Sequence, residues 1–324
     1  MPHEKPIVAV TRKIPEAGLK LLAGKFELKV SPVDRVLEKS ELAKFVKGAS
    51  AILSLLTDKI DGSIMDAAGK NLKLIANYAV GFDNVDLAAA KKRKITVTNT
   101  PGVLTEAVAE HTFALLMAVA RRIVESDKFM RSGNYTGWEP ELLLGPELTV
   151  KTFGILGLGR IGSRVAEIAS GGYQMKVIYY DRGNKDRDLD KRLGAEAVTI
   201  RKLLTSADFI SLHVPLTSET HHLIGKSELS SMKKTAILIN TSRGPVIDEL
   251  ALAWALKHGE IWGAGIDVFE FEPKLTSELR TLDNIVVTPH TASATSEARA
   301  AMAVLAAKNI LQVLEGRPAL TPVK

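Results

Sequence analysis

The sequence predicts an α/β protein built from two doubly wound parallel sheets. Short apolar runs such as PIVAV, AILSLL and LKLIANYA alternate with amphipathic stretches near the amino terminus. Alternating strands and helices are typical of a parallel sheet that is covered by helices on both faces. After residue 150 the alternation resumes, with runs that are nearly continuous in Val, Ile and Leu, as burial of both strand faces requires. We therefore expect two α/β units with a cleft between them.

The elements can be assigned in chain order. In the first unit the predicted strands are PIVAV, FELKV, AILSLL and LKLIANYA, and the predicted helices are PEAGLKLLAG, SELAKFVKGA and SIMDAAG. Residues 105–133 have apolar positions at helical spacing, which predicts one long helix, and a loop rich in Gly and Pro follows it. The predicted strands of the second unit are TFGILGLG, KVIYYD, DFISLHV, TAILINT, GAGIDVF and NIVVTPH, and a final helix follows them.

The composition excludes several classes of function. No apolar run is long enough to cross a membrane, and MPHEKPIVAVTRK lacks the layout of a signal peptide, so we expect a cytoplasmic protein. The absence of cysteine excludes disulfides and thiolate metal sites. The formal charge of +6 is scattered, and its basic runs are short. We therefore expect no nucleic-acid partner.

A glycine pattern predicts a dinucleotide cofactor. Gly157, Gly159 and Gly162 form a GxGxxG arrangement where an apolar strand meets an amphipathic helix. In this context the glycines permit a tight turn, the approach of a pyrophosphate and close packing of helix on strand. The next strand ends in Asp181, whose carboxylate suits free ribose hydroxyls and repels a 2′-phosphate. NAD is therefore favoured, with NADP as the alternative because Arg182, Lys185 and Arg187 follow.

Three predicted strand ends in the second unit carry polar residues. They are Arg243 in INTSRG, Glu272 in VFEFEP and His290 in VVTPH. Carboxyl ends of strands in a doubly wound sheet gather beside the cofactor. Together the three side chains supply a cation for a substrate carboxylate and carbonyl, an acid/base near neutral pH and a carboxylate that orients it.

The chain resembles the D-isomer-specific 2-hydroxyacid dehydrogenases, and among them it is most similar to the glyoxylate/hydroxypyruvate reductases. The resemblance covers nearly the whole length, through the motifs NYAVGFDNVD, NTPGVLTEAVAEHTFALL, GILGLGRIG, HVPLT, MKKTAILINTSRGPVIDE, GAGIDVFEFEP and NIVVTPH. It implies reduction of a small 2-oxo acid, with Arg243, Glu272 and His290 as the catalytic residues. Glu272 would hold the far nitrogen of His290 while the ring protonates a carbonyl oxygen.

The resemblance also implies how the chain is organised. It gives a substrate domain of residues 1–100 plus 291–324 and a Rossmann-like cofactor domain of residues 101–290. It further implies a homodimer with the region 105–133 in its interface, and Trp138 reaching the partner's active site. Thr291 and Ala292 depart from the Ile-Gly pair of many relatives and could reshape the substrate pocket.

The resemblance places further residues around the ligands. Backbone around Val80 and Gly81 would help to bind the substrate carboxylate, and Asp267 would face the nicotinamide carboxamide. The predicted cofactor-binding residues are Gly157, Leu158, Gly159, Arg160, Ile161, Gly162, Asp181, Arg182, His213, Pro215, Thr241, Ser242 and Asp267.

Other histidines are given structural roles. His111 lies in an apolar helix, which favours a packed or interface residue. His221 and His222 adjoin and are expected to point apart, so no metal site is predicted. Phosphoglycerate dehydrogenase and D-lactate dehydrogenase remain the alternative enzymes, and an NAD-sensing transcriptional co-regulator is the alternative from another class.

Overall fold

The chain forms two compact units in the computed structural model, which describes residues 5–183 and 191–323. The first unit comprises residues 1–104 and 294–324, and the second comprises residues 105–293. These limits lie within four residues of the predicted domain limits. The assignment of substrate and cofactor to separate units stays a prediction.

The first unit has a five-stranded parallel sheet in the order β2-β1-β3-β4-β5. This is the order of a doubly wound sheet, with crossovers on both sides of β1. Polar side chains begin two of its helices, because Asp61 and Asp86 accept hydrogen bonds from amides of the first turns. The strands are β1 (Ile7–Val10), β2 (Glu27–Val30), β3 (Ala51–Leu55), β4 (Leu74–Tyr78) and β5 (Thr96–Thr98). The helices are α1 (Glu16–Leu22), α2 (Lys39–Phe45), α3 (Gly62–Ala68) and α4 (Leu87–Lys92).

The last helix of the chain, Ser296–Leu314, also belongs to the first unit and packs on α1. Gly18 makes this packing close, since a Cβ atom there would lie 2.5 Å from the carbonyl oxygen of Ala303. A side chain at position 18 would therefore push the two helices apart.

The second unit has a seven-stranded parallel sheet in the order β12-β11-β10-β9-β6-β7-β8. Its helices are α5 (Thr105–Ala120), α6 (Ile123–Arg131), α7 (Arg160–Tyr173), α8 (Ile200–Ser206), α9 (Lys226–Ser231) and α10 (Glu249–Lys257), so that Ser296–Leu314 is α11. Its strands are β6 (Thr152–Leu156), β7 (Lys176–Tyr180), β8 (Glu196–Ala197), β9 (Phe209–Leu212), β10 (Ile237–Asn240), β11 (Gly263–Ile266) and β12 (Ile285–Val287).

Buried side chains cover both faces of the second sheet. Phe113, Phe153 and Val165 belong to the core on one face, and Ile210 and Leu252 belong to the core on the other. Successive residues of a strand point to opposite faces, so a strand covered on both sides is apolar throughout. The fold class predicted from the sequence, two doubly wound α/β domains, is confirmed.

The structure differs from the local predictions at one helix and at two short strands. The region 105–133 is two helices, α5 and α6, because Arg122 between them adopts a left-handed backbone with φ of 48°. The short strands β5 and β8 were not predicted, since two or three residues give too little periodicity to detect. Among the described residues no helix is both long and apolar enough to span a membrane. The cytoplasmic location stays a prediction.

Candidate active site

The register of the second sheet aligns the carboxyl ends of five strands. Leu156 of β6 pairs with Leu212 of β9, and Leu212 pairs with Asn240 of β10. Asn240 pairs in turn with Ile266 of β11, which pairs with Val287 of β12. The residues that follow these positions therefore leave the sheet along one edge. They are Gly157, His213, Thr241, Asp267 and Thr288. Doubly wound sheets bind their ligands at such an edge.

The three glycines of the turn between β6 and α7 have different surroundings. Gly157 has φ of 93°, and a Cβ atom there would lie 2.7 Å from the carbonyl oxygen of His213. A Cβ atom on Gly162 would lie 2.1 Å from the carbonyl oxygen of Gly157. Gly159, at the start of α7, has no atom within 4 Å of its Cβ position. The open side of the turn thus lies at a helix amino terminus, which fits the pyrophosphate of a dinucleotide.

The carboxylate of Asp181 is hydrogen-bonded to the same turn. One carboxylate oxygen accepts a hydrogen bond from the amide of Leu158 at 2.7 Å, and the other accepts one from the amide of Gly183 at 2.7 Å. Each oxygen keeps a second lone pair for a ribose hydroxyl. The neighbouring Arg182 lies 3.7 Å from Glu219 in an exposed ion pair. Lys185 and Arg187 lie outside the described residues.

Other predicted cofactor residues lie along the same sheet edge or at the start of α7. Burial lowers the pKa of His213 to about 3, so its ring is neutral at pH 7, and the ring lies 2.6 Å from the hydroxyl of Ser211. The Thr241 hydroxyl lies 3.2 Å from that of Thr112 on α5. Arg160 and Ile161 form the first turn of α7, and Pro215 follows β9 two residues after His213.

Arg243 is positioned by a tight turn after β10. The side-chain oxygen of Asn240 accepts hydrogen bonds from the amide and hydroxyl of Ser242, and its nitrogen donates to the carbonyl oxygen of Arg243. Gly244 then packs directly on the chain before Glu272, since a Cβ atom there would lie 1.9 Å from the carbonyl of Phe269. The Arg243 turn and the Glu272 segment are therefore in backbone contact.

Glu272 and His290 form a hydrogen-bonded pair. Oε2 of Glu272 lies 3.1 Å from Nδ1 of His290, and Oε1 accepts a hydrogen bond from the amide of Phe269 at 3.1 Å. Both side chains are partly exposed. The contact leaves Nε2 on the opposite side of the ring to exchange a proton with a ligand. The structure thus brings together two of the three predicted catalytic side chains, and their catalytic roles stay predictions.

Asp267 is the buried anchor of the segment that carries His290. Its carboxylate accepts hydrogen bonds from the hydroxyl of Thr288 at 2.6 Å and from the amides of Thr291 and Ala292 at 2.8 Å each. Its carbonyl oxygen accepts a hydrogen bond from the amide of His290. Burial would raise the pKa of Asp267, but the nearby imidazole of His111 and these hydrogen bonds outweigh burial and lower it. The predicted contact with the nicotinamide carboxamide stays a prediction.

His111 has a role that the sequence did not reveal. Its Nε2 lies 2.9 Å from the hydroxyl of Thr288 and 3.4 Å from Oδ1 of Asp267. Because Thr288 donates its only hydroxyl proton to Asp267, it accepts from His111, which fixes the proton of that ring on Nε2. The signal was available, since a histidine on a largely apolar helix needs a polar partner. Its partner lies 177 residues away, which no local pattern indicates.

The expectation that His221 and His222 point apart was wrong. Their ring centroids are 4.1 Å apart, and Nε2 of His222 lies 2.8 Å from Oε1 of Glu270. The reason is the left-handed backbone of His222, with φ of 51°, which neither an extended strand nor a right-handed helix contains. The sequence by itself indicates no role for Glu270.

In the first unit, Val80 and Gly81 follow β4. The carbonyl oxygen of Val80 accepts a hydrogen bond from Asn99, and that of Gly81 accepts one from Asn77. A peptide N–H points away from the preceding carbonyl, so these bonds also fix the amides of Gly81 and Phe82. Their contact with a substrate carboxylate stays a prediction.

We predict that Thr288→Val lowers the stability of the folded protein by loosening the segment that carries His290. The substitution preserves the shape of the side chain but removes the hydroxyl that bonds to both His111 and the buried Asp267. We expect a loss of about 1 to 3 kcal/mol in the free energy of unfolding, measured by urea titration. Thr291→Val is the matched control, because its hydroxyl lies 3.4 Å from the same oxygen and its amide bond remains. Equal losses in the two variants would contradict the proposed importance of Thr288.

Comparisons with known proteins identify the family of the chain. Residues 113–292 match the family model of the D-isomer specific 2-hydroxyacid dehydrogenase NAD-binding domain. A glyoxylate reductase of Thermococcus litoralis is 51% identical over 316 residues, which cover 96% of this chain and 95% of the relative.

Two solved structures are also similar. One is a protein of Thermus thermophilus, with a TM-score of 0.91 and 46% identity, covering 98% of this chain and all of the other. The other is an NADPH-dependent glyoxylate/hydroxypyruvate reductase of Sinorhizobium meliloti in complex with NADP and malonate, with a TM-score of 0.85 and 33% identity over 99% of this chain and 97% of the other. The family match over more than half of the chain and the near full-length relative show that the protein belongs to the D-isomer-specific 2-hydroxyacid dehydrogenases, as its sequence motifs indicated.

Proposed function

We propose that the protein reduces glyoxylate or hydroxypyruvate to the corresponding 2-hydroxy acid, of D configuration where the product is chiral. The observation that carries the proposal is the Glu272–His290 pair, which lies in the same unit as the glycine turn. The names of the relatives support the substrate class, since the Thermococcus litoralis protein is a glyoxylate reductase. A bound nicotinamide would supply the hydride.

His290 would supply the proton. With Nδ1 held by Glu272, the imidazolium would present Nε2 to the carbonyl oxygen of the substrate and protonate it as the carbon is reduced. The carboxylate fixes the tautomer and the orientation of the ring. His290 also has φ of 55°, an unusual backbone conformation for a residue other than glycine, and such conformations cluster at functional sites.

Arg243 would bind the anionic end of the substrate. Its guanidinium can hold a carboxylate through two parallel hydrogen bonds and polarise the adjacent carbonyl. The turn at Asn240 fixes the backbone from which it projects. Lysine would provide the charge without the planar pair of donors.

We further propose that NADH is preferred to NADPH. Asp181 supports this preference, because its carboxylate is held at the cofactor turn and would repel a 2′-phosphate. The positive charge of Arg182 would attract a 2′-phosphate and so favours NADPH. Its ion pair with Glu219 partly offsets that charge. The related Sinorhizobium meliloti enzyme is NADPH-dependent, so membership of the family does not by itself decide the cofactor preference.

The function is tested by initial rates of NADH and NADPH oxidation with glyoxylate, hydroxypyruvate, pyruvate and 3-phosphohydroxypyruvate. We expect kcat/KM to be highest with one of the first two acids. A higher value with pyruvate or the phosphorylated acid would favour D-lactate or phosphoglycerate dehydrogenase. The absence of turnover with every acid would favour the co-regulator.

We predict that Asp181→Ser narrows the ratio of kcat/KM for NADH to that for NADPH, because it removes the repulsion of the 2′-phosphate. Arg182→Ser is the matched control at the next position and should widen the ratio, since it removes an attractive charge. Rates at fixed glyoxylate with varied cofactor measure both. A wild type that prefers NADPH would show that the basic neighbours of Asp181 dominate.

We predict that Glu272→Gln lowers kcat and leaves the KM for NADH nearly unchanged, because the ring of His290 loses the carboxylate that orients it. Initial rates with glyoxylate at varied NADH measure both constants. His290→Ala should lower the rate more, by about 10² to 10⁴, since the proton donor itself is removed. Arg243→Lys should raise KM and lower kcat. A kcat for Glu272→Gln equal to that of wild type would mean that the carboxylate does not orient the histidine.

We also propose a homodimer, which is supported by exposed apolar surface in the second unit. None of the nine residues of α6 is buried, and Ile123 and Met130 are 54% and 57% exposed. In the loop that follows, Trp138 is 81% exposed. A soluble monomer rarely exposes so many large apolar side chains in one region. A second copy of the chain would cover them through a twofold interface.

We predict a particle of twice the chain mass of 35.0 kDa by light scattering at micromolar concentration. Ile123→Glu with Met130→Glu should shift the particle toward the monomer mass, because two charges would be buried in the interface. Leu250→Glu is the control, since Leu250 is an equally exposed apolar residue on α10. A monomeric wild type would exclude the dimer.

A further inference from the structure

A second group of polar side chains consists of residues that have no part in the proposed catalysis. His221 and His222 end a turn before α9, and Glu270 follows β11. One ligand atom of each residue lies within 4.8 Å of the others. Two imidazole nitrogens and a carboxylate oxygen are donors that Zn²⁺ and neighbouring first-row metals accept. Bond lengths of about 2.0 to 2.2 Å to each donor would require only small side-chain rotations to bring them together.

The backbones of all three residues are held in place. The amide of His221 donates to the carbonyl of Thr217, and the amide of His222 donates to the carbonyl of Pro245. The amide of Glu270 donates to Oε1 of Glu249, whose other oxygen accepts from the amide and hydroxyl of Thr276. Hydrogen bonds therefore hold the turn in which His222 has a left-handed backbone. This backbone conformation brings the two imidazole rings to the same side.

The charges of the group favour a cation. The side chain of Glu270 is only 13% exposed, and its Oε2 accepts a hydrogen bond from the amide of the buried Glu249. Among the residues that the structure describes, neither carboxylate forms an ion pair with Lys or Arg, and His222 is the one titratable partner of Glu270. A carboxylate of low exposure whose ion-pair partner is a histidine alone favours a cation beside it.

We propose that His221, His222 and Glu270 bind one divalent transition-metal ion such as Zn²⁺. The ion takes the place of the hydrogen between Nε2 of His222 and Oε1 of Glu270, and the neutral ring then carries its proton on Nδ1. Water completes the coordination shell on the exposed side of the two histidines. The ion links the turn at residues 217–224 to the segment 269–272, which carries Glu272.

The proposed ion would act on the stability of the fold. Gly244 packs on the carbonyl of Phe269, and the amide of His222 donates to the carbonyl of Pro245, so the ion joins chain segments that flank Arg243 and Glu272. A ligand that binds the folded state and not the unfolded state raises the midpoint of thermal unfolding. We therefore expect Zn²⁺ to raise the unfolding temperature of the second unit.

The test is calorimetric titration of Zn²⁺ into chelator-treated protein, together with thermal unfolding in the presence and absence of Zn²⁺. Wild type should bind one equivalent and unfold at a higher temperature with the metal. Glu270→Gln, His221→Gln and His222→Asn should each bind at least about 10 to 100 times more weakly, the range typical when even an outer partner of a metal ligand is lost. Asn is chosen at position 222 because it tolerates a left-handed backbone.

Two controls locate the ion. His258→Gln removes an exposed histidine outside the group, stacked on Trp254, and should leave binding unchanged. His290→Gln removes the proposed proton donor and should also leave binding unchanged. Weak binding by wild type that none of the three ligand variants alters would overturn the proposal, as would loss of binding in His290→Gln. Unfolding temperatures of the metal-free variants show that each is folded.

Discussion

The buried carboxylate of Asp267 is the interaction on which the candidate site depends, because it fixes the backbone that carries His290. A carboxylate without solvent contact is stable only when donors surround it, and the segment 288–292 supplies a hydroxyl and two amides. The amide of His290 donates a hydrogen bond to the main-chain carbonyl oxygen of Asp267. These bonds compensate for the left-handed backbone of His290, which would otherwise relax. The ring is consequently presented to Glu272 in a single orientation.

Close backbone contacts connect this anchor to the rest of the site. Gly244 brings the Arg243 turn against the carbonyl of Phe269, and the amide of Phe269 in turn binds Glu272. Gly157 brings the cofactor turn against the carbonyl of His213 in the same way. Each contact requires glycine because a Cβ atom would overlap with main-chain atoms, which cannot move aside as a flexible side chain can. The proposed groups for the cofactor, the substrate anion and the proton are therefore set by main-chain packing.

The sequence predicted the features that local chemistry determines. Apolar strands, the glycine turn with Asp181 and the polar strand ends at Arg243, Glu272 and His290 follow from periodicity, backbone freedom and the position of each residue after its strand. It did not predict the break at Arg122, because no Gly or Pro marks it and the apolar pattern continues on either side. It also missed the pairing of His221 with His222, since one unusual φ angle decides which way the rings point.

By itself, then, the sequence determined the two doubly wound sheets, the cofactor turn and the types of side chain available for chemistry, because these depend on residues close together in the chain. The tertiary structure alone decided which distant groups meet. Thr288 joins His111 to Asp267, and Glu270 meets His222 across 48 residues, because parallel strands far apart in sequence end at a common edge. Hydrogen-bond partners across such distances depend on strand register and crossover, and neither leaves a local signal in the chain.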